Sequence, residues 1–285
     1  MSPLHNISLR GGSWTRDVSG EDVFHVDDPH ALVMAAGYLK FKLGKEYGEG
    51  VYFRGQRKLY STLEPTLYRG VLSAGTRDTR GKRLSETIKA FRSAGGIFAS
   101  FGNHVHEPLL QHYGISTTWV DLVDNIWVAL WFACHQAMST GKLDQYHHFE
   151  RRSEHEADGY AYILLIAADL SKRNRCKPGY FIGRNTELVD LRVAAPSVFL
   201  RPHAQHGLLF RSRGVDGGRL LDYSSQIRAV VRVHLRDALR WLGEGTMVGI
   251  HSLFPPPLYD NGYGILLDCD VTPQSGVGTI AHVGA

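Results

Sequence analysis

The sequence predicts a single mixed α+β domain, and three observations carry that expectation. Short β-branched and aromatic runs at 51–54, 160–167, 207–210 and 227–233 are interspersed with helical patterns. No Gly-x-Gly-x-x-Gly follows any of these runs, so a doubly wound dinucleotide-binding fold is not expected. With 285 residues, 43% of them apolar and 21% charged, the chain is long and apolar enough to bury a sizeable core.

Taken in order, residues 1–28 read as an irregular N-terminal arm with a short strand at 23–26, and 29–285 as the domain proper. Pro29 opens a helix through 31–39, with Asp28 as its N-cap and proline at the first helical position. Residues 51–54 form a strand, 61–69 cross a proline, and 75–82 read as polar and flexible. A helix at 84–98 follows from the spacing of Leu84, Ile88 and Phe91. A short helix at 108–113 is closed by Gly114, and a short strand covers 115–118. Residues 126–138 are an apolar helix, and 139–159, polar and without period, an exposed loop. The run at 160–167 is mostly apolar and reads as a buried strand. Further strands fall at 207–210 and 227–233, and helices at 234–241 and 246–254. No internal repeat is visible.

Bulk chemistry narrows the function classes. A net charge of +4, with fifteen histidines uncounted, permits nucleic acid or phosphorylated ligands without demanding them. Cys134, Cys176 and Cys269 are widely spaced and contain no Cys-x-x-Cys pair, which suits a reducing compartment. No basic-then-apolar leader opens the sequence, and no apolar run reaches the ~18 residues of a membrane span. A cytoplasmic protein without a membrane partner is expected. His147, His148 and His155, like His104 and His106, lack helical i, i+4 spacing with a third ligand, so no metal is expected. A serine hydrolase is disfavoured, because no Gly-x-Ser-x-Gly turn appears.

Chemistry concentrates in two segments. In Val51-Tyr52-Phe53-Arg54-Gly55-Gln56 a β-rich run delivers an arginine to its end, where its planar fork suits a phosphate or carboxylate. Gly55 lets the backbone turn or a ligand approach closely. Some sixty residues on stands Gln111-His112-Tyr113-Gly114-Ile115-Ser116-Thr117-Thr118-Trp119-Val120-Asp121. With the apolar stretch from Ala129 to Ala133, with Arg201…Ala204-Gln205…Gly207…Phe210, and with Leu253-Phe254-Pro255, these resemble the FRG-domain family. Thr118 and Leu122 depart from it, standing where the family usually has Arg and Trp.

The resemblance implies a remote relation to ADP-ribosyltransferases, and so a split β-sheet with helical insertions and NAD bound in its cleft. On that mapping Arg54, with Gly55 and Gln56 beside it, holds the NAD pyrophosphate. Thr117 and His112 contact the nicotinamide-side ribose or phosphates. Tyr113 stacks on nicotinamide, Arg201 is a further cofactor contact, and Gln205 orients the ribose 2′-hydroxyl. An amide cannot act as a general base, which leaves Asp121, Glu107 and His112 as candidates for that role. Arg54, His112, Thr117, Asp121 and Gln205 form the expected catalytic set.

Blander readings compete for several of these residues. Asp121 or Asp124 is a natural N-cap for the following helix, Tyr113 a core residue, and Arg201 a partner for Glu107. Trp127, Leu130 and Trp131 fall at helical spacing and read as core. The acceptor is expected to be nucleic acid, RNA before single-stranded DNA, or else protein. Basic runs at 151–152, 172–175 and 211–213 would track phosphates while Trp119 or a tyrosine stacks a base. A toxin or phage-defence effector with a neutralising antitoxin is the setting the resemblance implies. The alternatives are a non-catalytic nucleotide- or nucleic-acid-binding module, and an NAD glycohydrolase.

Overall fold

Asp28 and Pro29 open the first long helix of the computed structural model as their chemistry dictates. The Asp28 side chain accepts from the amides of His30 and Ala31. The structure describes residues 8, 10–17, 20–141, 143, 145–156, 159–171, 177–214, 221–243 and 248–284. Ahead of that helix, β1 (Gly12–Arg16) and β2 (Asp22–Val26) form an antiparallel pair, with Trp14 edge-on to Phe24. The described part of the expected irregular arm is therefore a sheet edge. Its strands are five residues each, too short to show a period, but Val23, Phe24 and Val26 are fully buried.

Helix α1 (Pro29–Tyr47) buries Leu32, Ala35, Ala36, Leu39 and Leu43, and Gly48 closes it at φ +66°. Strand β3 (Glu49–Gln56) runs two residues past Arg54, which thus lies inside the strand and not at its end. Helix α2 (Ala74–Ser93) covers the stretch expected to be flexible and stops short of residue 98. It is polar because it buries little beyond Leu84, Thr87 and Phe91, and arginines hold its first half. Arg77 donates to the Val71 carbonyl and Arg80 to that of Leu67, each at 3.0 Å. Gly95, at positive φ, is the N-cap of α3 (Gly96–Ala99), whose first residue Gly96 is also at positive φ. Helix α4 (Asn103–His112) begins ahead of Pro108 and contains it.

Residues 115–118, expected as a strand, are irregular, as is Trp119; β4 (Val120–Val123) follows and includes Asp121. Helix α5 (Ile126–Cys134) is capped by Asn125, whose side chain accepts from the amides of Trp127 and Val128. Neither Asp121 nor Asp124 caps it. It ends before 138 because β5 (His135–Thr140) begins there and pairs with β6 (Tyr146–Arg151), so the expected loop at 139–159 contains a hairpin strand. Then come β7 (Tyr160–Asp169), β8 (Tyr180–Ile182), β9 (Thr186–Asp190), α6 (Leu191–Ala194), α7 (Leu200–Ala204) and β10 (Gly207–Ser212). The chain closes with β11 (Ile227–His234), α8 (Leu235–Trp241), α9 (Ile250–Leu253), α10 (Asn261–Asp268) and β12 (His282–Val283). Part of the helix expected at 246–254 lies outside the described residues; the described helical part is α9.

Among the described residues nine strands form one mixed sheet in the order β1-β2-β11-β7-β3-β4-β10-β9-β8, and β12-β6-β5 form a second. The chain is a single α+β domain. Strand β7 is the best-buried strand, as its unbroken apolar run requires, and β3 pairs with it along its whole length. On its other side β3 meets β4 in a single pair, Phe53 opposite Val123. By strand pairing the large sheet is thus two blocks that meet at a single residue pair, and the cleft described below lies at that join. Helices α1, α5 and α8 pack Leu32, Leu39, Leu130, Trp131 and Leu239 against the β3–β7–β11 block. A second core around Phe98, Leu109, Tyr113, Phe199 and Tyr263 lies with α2, α4 and α10. No helix among the described residues is long and apolar enough to cross a membrane.

Candidate functional site

Past the Phe53–Val123 pair, the Arg54 side chain bridges the two blocks: its Nη1 donates to the Asp121 backbone carbonyl at 2.7 Å. Its Nε is buried with no hydrogen-bond partner among the described residues. Burial draws the Arg54 pKa down, nearby Asp121 opposes this, and Arg69 adds to it. Arginine stays charged at physiological pH regardless. Gly55 faces the other side of β3 by strand alternation. A Cβ there would lie 1.8 Å from the Ala129 carbonyl oxygen and 2.8 Å from the Ala133 amide. It is a glycine because α5 crosses against it, rather than to free a turn or admit a ligand.

Two hollows adjoin at Arg54. One, of about 390 Å³, is lined by Arg54, Gln111, His112, Asp121, Arg201 and Gln205 among others. The other, of about 430 Å³, includes Arg54, Gln56, Arg57, Tyr60, Glu64 and Arg69. Phe132, His135, Ala137 and Gly55 border both.

Asp121 is the acid of the first hollow. Gln111 Nε2 donates to its Oδ2 at 2.7 Å, and His112 Nδ1 stands 3.4 Å from Oδ1. Burial pushes the carboxyl pKa up. The hydrogen bond and charge of His112, then Arg54 and Gln111, outweigh that and hold it below its ordinary value. With its side chain 42% exposed, Asp121 presents an ionised carboxylate to the cleft. His112 itself is turned inward. Its Nε2 is buried without a partner, packed where a Cβ on Gly207 would sit at 2.3 Å. It therefore orients Asp121 and is not placed to take an acceptor's proton. Thr117 is fully buried, bonds Gln111 Oε1 through its hydroxyl, and accepts the Trp119 amide at 3.1 Å. It orients Gln111 instead of touching a ribose.

Three more expected residues change role. Tyr113 is fully buried, stacked on Tyr263, with its hydroxyl donating to Asp260 Oδ2 at 2.7 Å. It is core, and no face is free for nicotinamide. Arg201 lies over Tyr113 and Tyr263 at 4.5 and 4.6 Å and donates from Nη1 to the His112 carbonyl at 3.0 Å. It does not pair with Glu107, which takes the amide and hydroxyl of Thr118 at 2.9 and 2.6 Å. That fixes Glu107 outside the cleft. Gln205 stays on the cleft wall; its Nε2 donates to the Leu253 carbonyl at 2.9 Å, which leaves Oε1 to accept a ligand hydroxyl.

The two basic runs among the described residues are engaged within the protein. Arg211 and Arg213 both pair with Glu187, and Arg211 covers Trp119, which is 3% exposed and cannot stack a base. Arg152 is buried, donating to the Ala133 and Tyr160 carbonyls and pairing with Glu156, while Arg151 pairs with Glu154. The run at 172–175 lies outside the described residues. Among the described residues no group of three or more His, Cys, Asp or Glu could hold a metal.

Sequence reasoning missed His135 and Phe149, and saw Phe132 and Phe254 only as parts of motifs without a role, although all four wall the first hollow; it also missed Arg57, Tyr60 and Arg69 in the second. The aromatic wall depends on β5 and β6, whose strand character is hidden by their polar residues. Arg57 and Tyr60 follow directly on the first motif, and that adjacency was the available signal.

Residues 49–142 match the family model of the FRG domain. About a third of the chain is thus similar to the FRG domain. The FRG match begins at the first residue of β3 and ends just beyond β5, so it contains Arg54, Gln111, His112 and Asp121. Arg201 and Gln205, which complete the cleft wall, lie outside it. Neither a curated protein nor a solved structure matches this chain.

Proposed function

We propose that this protein is an NAD-dependent mono-ADP-ribosyltransferase acting in the cleft between β3 and β4. The observation that carries the reading is Arg54. Its half-buried side chain is bonded to one carbonyl, keeps a buried and unpartnered Nε, and borders two hollows, the first of which also holds an ionised carboxylate and an amide acceptor. A buried donor without a partner is costly, and an anion such as the NAD pyrophosphate satisfies it.

The chemistry asked of the site is cleavage of the nicotinamide–ribose bond, in which the electron pair leaves with nicotinamide and positive charge gathers on the ribose. Asp121, fixed by Gln111 and His112, faces that charge already oriented. Its depressed pKa makes it a weak base, so its role is electrostatic. Gln205 Oε1 accepts a ribose hydroxyl, and Thr117 acts at one remove by fixing Gln111. Arg201 supports the cleft from beneath through the His112 carbonyl.

The setting we propose is an intracellular effector whose expression harms the host and whose partner protein covers the cleft. The acceptor is RNA, single-stranded DNA or protein. Incubation with labelled NAD and each of these pools tests the reading. Wild-type protein is expected to label one pool, and Arg54→Ala to reduce labelling at least about 100-fold, the scale on which lost charge stabilisation slows chemistry. Free ADP-ribose alone would indicate a glycohydrolase. No NAD consumption by folded protein would leave a binding module.

A further inference from the structure

The second hollow is more basic than anchoring one pyrophosphate through Arg54 requires. Arg54, Arg57 and Arg69 all line it, against one carboxylate, Glu64. Glu64 accepts the Gly70 amide through Oε2 at 3.3 Å, and its backbone carbonyl takes Arg69 Nη2 at 3.2 Å. No ion pair therefore consumes the Arg69 charge among the described residues. Arg57 makes no hydrogen bond or ion pair among the described residues. Like charges gathered at one wall repel, and Arg69 is close enough to Arg54 to depress its pKa. An anion in the hollow relieves that repulsion.

The remaining lining argues for more than a bare phosphate. At about 430 Å³ the hollow is in the range of small-ligand sites, which inorganic phosphate would underfill. Tyr60 stands at its rim, 51% exposed, with its phenol within electrostatic reach of Arg54. An exposed aromatic beside a cluster of arginines is the pairing that takes a base on the ring and phosphates on the guanidinium forks. Gln56, His135 and Gln136 add neutral polar groups to the wall.

We infer that this hollow is a nucleoside-diphosphate subsite. Its base lies on Tyr60, and its two phosphates are shared among Arg54, Arg57 and Arg69. The inference rests on the proposed cleft and its Arg54, and adds Arg57, Arg69 and Tyr60, to which that reading gave no role. Two sources present the same chemistry: the ADP half of the dinucleotide donor, or a phosphorylated nucleotide of an acceptor.

Calorimetric titration with ADP tests it. Wild-type protein is expected to bind ADP, and Arg57→Ala/Arg69→Ala to weaken binding at least about 10-fold, with Tyr60→Ala several-fold weaker and Tyr60→Phe near wild type. Phe keeps the stacking face, so its rescue separates stacking from simple loss of fold. Competition then separates the sources: ADP raising the KM for NAD places the donor's ADP half here, and ADP lowering only acceptor labelling places an acceptor nucleotide. Absence of ADP binding by the folded wild type overturns the inference. So does undiminished affinity in the double variant, even if NAD is turned over. ADP binding without NAD consumption would sustain the subsite and sink the transferase.

Discussion

Gly55→Ala is expected to lower the melting temperature by roughly 10 °C, or to prevent soluble expression. The added Cβ would sit 1.8 Å from the Ala129 carbonyl oxygen, and the obstacle is helix backbone, which has no rotamer by which to withdraw. The choice lies between moving α5 off β3 and distorting β3, whose eight residues are paired to β7. Overpacking a well-filled core costs about 1–3 kcal/mol and more where backbone must move. At roughly 2–4 °C per kcal/mol for chains near this length, that reaches about 10 °C. Gly37→Ala is the control. That residue is in the middle of α1, and a Cβ added there meets nothing within 4 Å, so alanine should be neutral or stabilising by up to about 1 kcal/mol. Thermal unfolding of the two variants side by side checks whether the motif glycine serves packing.

The second large effect is expected at a residue outside the motif. Asp260 is fully buried and accepts from the Tyr113 hydroxyl and the amides of Arg201 and Tyr263 at 2.7 to 3.0 Å. It also caps α10. Asp260→Ala leaves those three donors buried and unpaired, at about 1–3 kcal/mol each, so a loss of roughly 3 kcal/mol or more is expected. Asp260→Asn keeps one oxygen acceptor and should lose less. Since Arg201 and Tyr113 support His112 from below, ligand affinity in the cleft should fall together with melting temperature in Asp260→Asn. A variant that melts like wild type would show that the α10 junction does not hold the cleft floor.

The sequence exposed the parts of this fold whose signals are local. Asp28-Pro29 announced α1 by capping chemistry, and the apolar run of β7 announced a strand buried on both faces. What it concealed depends on partners distant in the chain. Helix α2 carries little apolar stripe, because its arginines bind loop carbonyls. Strands β5 and β6 are polar and owe their pairing to each other and to β12. The site divided along the same line. The charge of Arg54 and the polarity of Asp121 and Gln205 were legible and fell into one cleft. The core position of Tyr113 was one of two readings the sequence left open; the inward turn of His112 and the burial of Thr117 and Trp119 were not legible, because a side chain's direction is set by partners such as Gly207 or Arg211, far along the chain.

The most direct measurement is nicotinamide release at saturating NAD, comparing wild type with Asp121→Asn. In the proposed mechanism the Asp121 carboxylate lies opposite the developing charge, and Arg54 anchors the substrate. Asp121→Asn, which keeps the shape and loses the charge, should therefore lower kcat by about 10²–10³ with KM little changed. Release by Asp121→Asn at the wild-type rate, or no release by a folded wild type, would contradict it.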